Sequence, residues 1–75
     1  MKLIETSMDQ QVTVKGFTGG SNLVSKLYKL GIKEGVSVKI KKKSNICPIL
    51  LEINGSTVAI GRGMAAKIIV EEEKE

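Results

Sequence analysis

The side chains able to do covalent or acid–base chemistry are few. The chain has no His and no Trp, and one Cys, one Tyr and one Phe. Without His there is no imidazole to titrate near neutrality and no His-rich metal cage. Cys47 stands alone, so it has no partner for an intramolecular disulfide. No recognisable base lies beside it to activate the thiol, and a small, semi-buried side chain is the expectation. Iron or zinc needs several N, O or S ligands brought together. The carboxylates Glu5, Asp9, Glu34 and Glu52 are scattered along the chain. The run Glu71-Glu72-Glu73 can hold divalent cations only weakly. These residues predict a non-enzyme, with no catalytic residue, no cofactor-binding residue and no tight metal site.

Three short motifs resemble chemistry without its context. Gly61-Arg62-Gly63-Met64-Ala65-Ala66 fits G-x-G-x-x-A, but a dinucleotide site needs a βαβ unit and an acid about 20 residues further on. The chain ends nine residues after Ala66, so a tight turn is expected. Gly16-Phe17-Thr18-Gly19-Gly20-Ser21 is glycine-rich ahead of a helix, yet lacks the G-K-[ST] that grips phosphate. Asn54-Gly55-Ser56 is formally a glycosylation acceptor. It reads better as a hairpin turn.

Lys39, Lys41, Lys42 and Lys43 form the sharpest charge cluster. In a strand, Lys39, Lys41 and Lys43 would share one face, away from Val36, Val38 and Ile40. That stripe is the candidate partner-binding surface, alongside the outward pair Leu50 and Ala59, which could also support a homo-oligomer. Residues 1–70 carry eleven bases against four acids, a body of +7 ahead of an acidic tail within a total of +4. A basic body suits an acidic partner. Specific nucleic-acid binding is not expected, because a single Arg and two aromatic residues offer little bidentate or stacking contact. A nucleic-acid module is the runner-up reading.

These residues must be positioned by a small scaffold. The 75 residues make one domain, residues 1–75, with 41% apolar residues, enough for a core. The longest apolar run, Ile46 to Leu51, is far short of the roughly 20 residues of a membrane span. Val12 and Val14 alternate with polar neighbours, as in a half-buried strand. Leu23, Leu27 and Leu30 then fall on one helical face. Ser21 is the expected N-cap and Gly31 the left-handed C′ residue, with Ile32 packing back on Leu27. Gly35 opens a second strand. Pro48 is expected at the first residue of a third. Asn54-Gly55 predicts a type I′ hairpin pairing Ile53 with Ser56, Leu51 with Val58 and Ile49 with Ile60. Glu52 with Thr57 and Leu50 with Ala59 then share the other face. One helical or 3₁₀ turn follows over 61–66, and Ile68, Ile69 and Val70 close with a last strand. The acidic tail, 71–75, is expected to fray. The fold class is mainly β: a small, strongly bent barrel of about five strands with one short inserted α-helix.

Leu27-x-x-Leu30-Gly31-Ile32-x-x-Gly35, followed by an alternating strand, resembles the L-x-x-L-G-[ILM]-x-x-G signature of the FeoA family, ferrous iron transport protein A. Pro48 with its apolar strand, Asn54-Gly55, Val58-Ala59-Ile60-Gly61-Arg62 and Ile68-Ile69-Val70 follow in matching order. The resemblance spans about residues 3 to 70. It implies an SH3-like barrel and a cytoplasmic accessory of ferrous iron uptake. The implied partner is FeoB, a membrane permease with a cytosolic GTPase domain, and any membrane attachment would run through that partner. Leu27, Leu30, Gly31, Ile32 and Gly35 are scaffold positions in this resemblance, and the family supplies no catalytic residue. The same module occurs at the C-terminus of metal-dependent repressors of the diphtheria-toxin type, which leaves an excised repressor domain as a further alternative.

Overall fold

The computed structural model describes every residue except Asn45, Cys47, Lys74 and Glu75. The expectations for Cys47 and for the last two residues of the tail therefore lie outside the described residues. Strand β1, Gln11–Phe17, forms where Val12 and Val14 alternate with polar residues, and both valines are fully buried. Helix α1, Ser21–Lys29, follows the glycine-rich turn. The close approach there explains one of the glycines: a Cβ on Gly19 would stand 2.0 Å from Leu23 Cδ2.

Two details of α1 differ from the sequence expectation. The N-cap is Gly20, in extended backbone and without a side-chain bond, so Ser21 is already helical. Leu30 was expected on the core face but is 38% exposed. It is the C-cap, where the backbone is already leaving the helix, and the inward turn is left to Leu27, which is fully buried. The helix ending itself is as expected. Gly31 has φ +90. Its N–H donates to Tyr28 O at 3.0 Å, and Ile32 N–H donates to Leu27 O at 2.9 Å. This is the paired-bond Schellman geometry, with buried Ile32 and Leu27 in one core.

The remaining elements are β2 (Ser37–Lys42), β3 (Ile49–Ile53), β4 (Ser56–Ile60), the single-turn α2 (Arg62–Ala65) and β5 (Ile68–Glu72). All pairings are antiparallel, in the order β4-β3-β2-β1-β5. Asn54 (φ 51) and Gly55 (φ 82) both take the left-handed region, as a type I′ turn requires. Every pair expected from that turn is present: Ile49 with Ile60, Leu50 with Ala59, Leu51 with Val58, Glu52 with Thr57 and Ile53 with Ser56.

The sheet is rolled. Flat, its two edge strands would stand roughly 19 Å apart at about 4.8 Å per strand. Yet Ile60 of β4 and Val70 of β5 belong to one buried cluster with Val12, Val38 and Leu51. Residues 61–67, helical for one turn, bridge the two edges. Pro48 lies just before β3 rather than at its first residue. The tail does not fray where it was expected to begin. Glu71 and Glu72 continue β5, opposite Thr13 and Val12.

An N-terminal 3₁₀ turn, Leu3–Glu5, was not expected. It buries Leu3 completely. Lys2 N–H donates to Glu5 Oε1 at 2.7 Å, and Thr6 Oγ1 donates to Leu3 O at 2.8 Å. The segment runs along β5, where Lys2 bridges Ile69 and Val70 N–H donates to Met1 O at 2.7 Å.

Candidate docking face

The antiparallel registers place a polar row across four strands. Gln11 lies opposite Lys39, Lys39 opposite Glu52, and Glu52 opposite Thr57. Alternate residues Val12, Val38, Leu51 and Val58 pack inward, so this row is the outer face. A groove of about 280 Å³ opens there, lined by Gln11, Ser37, Lys39, Glu52, Asn54 and Gly55. At one end the Glu73 carboxylate accepts hydrogen bonds from Thr13 Oγ1 at 2.9 Å and from Ser37 Oγ. At the other end the ladder runs Lys42, Leu50, Ala59. Leu50 is half-buried and Ala59 exposed. The face thus passes from an acid, through a Lys–Glu pair, to an apolar patch beside a lysine.

The lysine stripe does not survive as three equivalent groups. The β2–β3 register shifts between Ile40 and Lys42, leaving Lys41 as the extra residue of a bulge. The bulge breaks the strict alternation that would have aligned Lys39, Lys41 and Lys43. Lys39 remains on the outer face, half-buried opposite Glu52. Lys41 Nζ meets Asp9 Oδ1 at 3.1 Å, and Asp9 N–H donates to Ile40 O at 2.8 Å. The hydrogen bond from Lys41 Nζ to the Asp9 carboxylate, and then the Asp9 charge, raise the Lys41 pKa above its ordinary value. Lys43 lies past the strand end. Its ammonium donates to Ile4 O and to Thr6 O, both at 2.9 Å, and so holds the N-terminal turn.

The bulge moves Lys42 into the ladder beside Leu50, a position that strict alternation does not reveal. Asp9, Glu52 and Glu73 stand in the sequence only as scattered or tail carboxylates, because their partners are 32 to 60 residues away in the chain or set by strand register. Leu50 and Ala59 are together, as the hairpin register requires. Leu27, Gly31, Ile32 and Gly35 form the scaffold around the α1 ending. Gly35, with φ +91, turns the chain and donates its N–H to Val14 O at 2.8 Å.

A second surface feature surrounds α1. The rings of Phe17 and Tyr28 are 6.1 Å apart, and Lys33 Nζ lies 6.0 Å from the Tyr28 ring centroid. Tyr28 OH donates to Glu34 Oε1. That bond, with the backbone hydrogen bond to Glu34, lowers the Glu34 pKa, and the same contact raises the Tyr28 pKa. Among the described residues no three Cys, Asp or Glu side chains converge into a metal-holding group. No helix among them is long and apolar enough to cross a membrane.

With this geometry in place, comparison with known proteins identifies relatives. A family model described as FeoA domain matches residues 1–72. The "Putative Fe(2+) transport protein A" of Methanocaldococcus jannaschii is 36% identical over 63 residues, covering 84% of this chain and 76% of the relative. The NMR structure of a FeoA-like protein from Clostridium acetobutylicum superposes with a TM-score of 0.86 at 28% identity, covering 100% of this chain and 88% of that one. The zinc-complexed FeoA of Stenotrophomonas maltophilia, described as a procaryotic SH3 domain protein, gives a TM-score of 0.79 at 20% identity, with 95% and 89% of the chains covered. The fold also occurs within zinc-bound ScaR, with a TM-score of 0.86 at 18% identity, where the match covers 97% of this chain and 37% of that protein.

Proposed function

The chain belongs to the FeoA family, with an SH3-like fold, and on that premise we propose that it is a non-enzymatic accessory of ferrous iron uptake. It docks on the cytosolic part of a FeoB-type permease. The docking surface is the outer face of β2, β3 and β4. The observation that carries this reading is the position of Leu50. The other apolar residues of β2 and β3, Val38, Ile40, Ile49, Leu51 and Ile53, are buried in the core. Leu50 alone among these lies on the polar face, half-buried between Lys42 and Ala59. An apolar patch flanked by Lys42 and Lys39 suits an acidic surface with a small hydrophobic contact at its centre.

The lysines divide the work unequally. Lys39 and Lys42 supply the steering charge, whose reach is set by a Debye length of about 8 Å at physiological salt. Lys41 contributes less, since Asp9 already offsets it. Lys43 acts through the fold. Leu50 and Ala59 hold the complex once formed. The protein works at the cytoplasmic side and reaches the membrane through its partner. A role as a ferrous iron transport activating factor, suggested for the Stenotrophomonas relative, fits such a docking module.

The test replaces Lys39 and Lys42 together with Glu and measures capture of the permease from detergent-solubilised membranes, with ferrous iron uptake in parallel. We expect association at least roughly tenfold weaker, mostly through a slower on-rate. The melting temperature should fall by no more than about 5 °C, because neither side chain supports the core and the cost is a second acid placed opposite Glu52. Unchanged capture and full uptake would remove this face from the mechanism.

A further inference from the structure

The two edges of the sheet are guarded differently. Edge strands expose unpaired N–H and C=O groups, and proteins blunt them with charges, prolines, bulges or covering segments. The β5 edge has such guards. The N-terminal segment covers it through Lys2, Ile69 and the bond from Val70 N–H to Met1 O. Glu71 and Glu72 add like charge, and the β1–β5 ladder is broken by a bulge. Among the described residues, the β4 edge has none. Its sequence, Ser56-Thr57-Val58-Ala59-Ile60, contains no charge and no proline, and its register with β3 is unbroken.

The hairpin decides which groups face outward. Across a two-residue turn, Ile53 and Ser56 form the first hydrogen-bonded pair, and bonding then recurs at every second residue. Val58 and Ile60 therefore bond to Leu51 and Ile49. Thr57 and Ala59 direct their N–H and C=O away from β3. Both residues are exposed, and β4 pairs with β3 alone.

We propose that the β4 edge is a self-association surface, on which a second copy of this chain pairs antiparallel, β4 to β4, about a two-fold axis at Val58. The pattern is self-complementary. Centred on Val58, the axis sets Thr57 opposite Ala59 of the second copy, and Ala59 opposite its Thr57. Both residues of each pair point their free backbone groups at the other, so each pair exchanges both N–H···O bonds. The two Val58 residues meet as the non-hydrogen-bonded pair between them, with Cα atoms about 4.5 Å apart. No charge on either strand opposes the contact, which distinguishes it from any pairing through β5. The result is one continuous sheet across the dimer. A second copy brings by symmetry the same outward N–H and C=O groups on the same charge-free strand, which identifies it as the partner. The contact is smaller than a standard interface, so the dimer is weak and concentration-dependent. It uses the backbone edge of β4, whereas permease docking uses the side-chain face; Ala59 is shared by both, so the dimer is tested on the isolated chain.

The test is a concentration series to about 1 mM by sedimentation and by amide NMR, with an isotope-filtered experiment on a mixture of labelled and unlabelled chains. A contact of this size should associate in that range. Shifts should concentrate in residues 56–60, and an intermolecular contact should join the two Val58 α-protons. Ala59→Pro removes an outward N–H without touching the β3 ladder, and edge positions tolerate proline. We expect it to raise the dissociation constant at least roughly tenfold. Ala59→Lys, which keeps the N–H but adds charge to both pairs, should do the same if the proline variant fails to fold. A wild-type chain that stays monomeric throughout, or a dimer whose shifts map to α1 or β5, would overturn the proposal. So would a dimer that persists unweakened in Ala59→Lys.

Discussion

At the scale of single residues, four neighbouring lysines have four different environments. Lys39 sits opposite Glu52, Lys41 pairs with Asp9, Lys42 lies in the ladder beside Leu50, and Lys43 ties down the N-terminal turn. Residue type alone cannot separate them, because each environment is made by a segment distant in the chain. The Lys43 contact carries a stability prediction. Its ammonium donates to two backbone carbonyls in a part-buried site. Lys43→Met keeps most of the stem but leaves Ile4 O and Thr6 O without that donor. Hydrogen bonds to a charged group contribute roughly 1.5–3 kcal/mol each, and losing one partner adds desolvation. We expect a loss on the order of 1–3 kcal/mol by urea denaturation, with the largest gain in amide exchange over residues 1–6. Lys39→Met, as a control on the open face, should stay within about 0.5 kcal/mol. Equal effects of the two changes would show that the Lys43 strap is not a structural tie.

At the scale of elements, legibility follows local chemistry. The β3–β4 hairpin could be read to the residue because Asn54-Gly55 can take two left-handed conformations in succession, and a two-residue turn sets register on both sides. The α1 ending was legible for the same reason, through Gly31. The bulges were not. Lys41 carries no glycine or proline to mark an extra residue, and its irregularity is defined only against β3. The 3₁₀ turn was equally hidden, since Leu3 is buried by elements far along the chain. Fraying was expected from the terminal position of 71–75, but Glu71 and Glu72 continue β5, and Thr13 and Ser37 give Glu73 two hydroxyl donors. The helix ending supports a direct test. Space is open around Gly31, so a Cβ there meets no neighbour, and only the positive φ opposes it. Gly31→Ala should therefore cost on the order of 1 kcal/mol, the left-handed penalty without a packing term. Chemical denaturation measures this directly. A neutral or stabilising substitution would mean that the chain leaves α1 by another route.

At the scale of the whole molecule, the question is whether a protein of iron transport needs to hold iron. The described carboxylates are spread over the surface and already occupied in part. Asp9 is paired with Lys41, Glu34 with Tyr28, Glu71 with Lys15 at 3.9 Å, and Glu73 with Thr13 and Ser37. Ferrous iron favours several N, O or S ligands at one point, and among the described residues no such group of three forms. On the docking reading proposed above, the metal is cargo of the partner. Anaerobic calorimetry with ferrous iron should therefore show at most weak binding to the isolated chain. Glu71 and Glu72 lie in β5 and point to opposite faces of the strand, so they offer no shared site, and any weak affinity there is binding to single carboxylates. They are best tested by Glu71→Gln with Glu72→Gln rather than by truncation, which would remove strand residues paired with Thr13 and Val12. We expect the double change to abolish what little binding remains and to leave the fold intact. A stoichiometric sub-micromolar site that persists in this variant would show that the molecule carries iron itself, and the docking account would then have to include transfer of the metal to the permease.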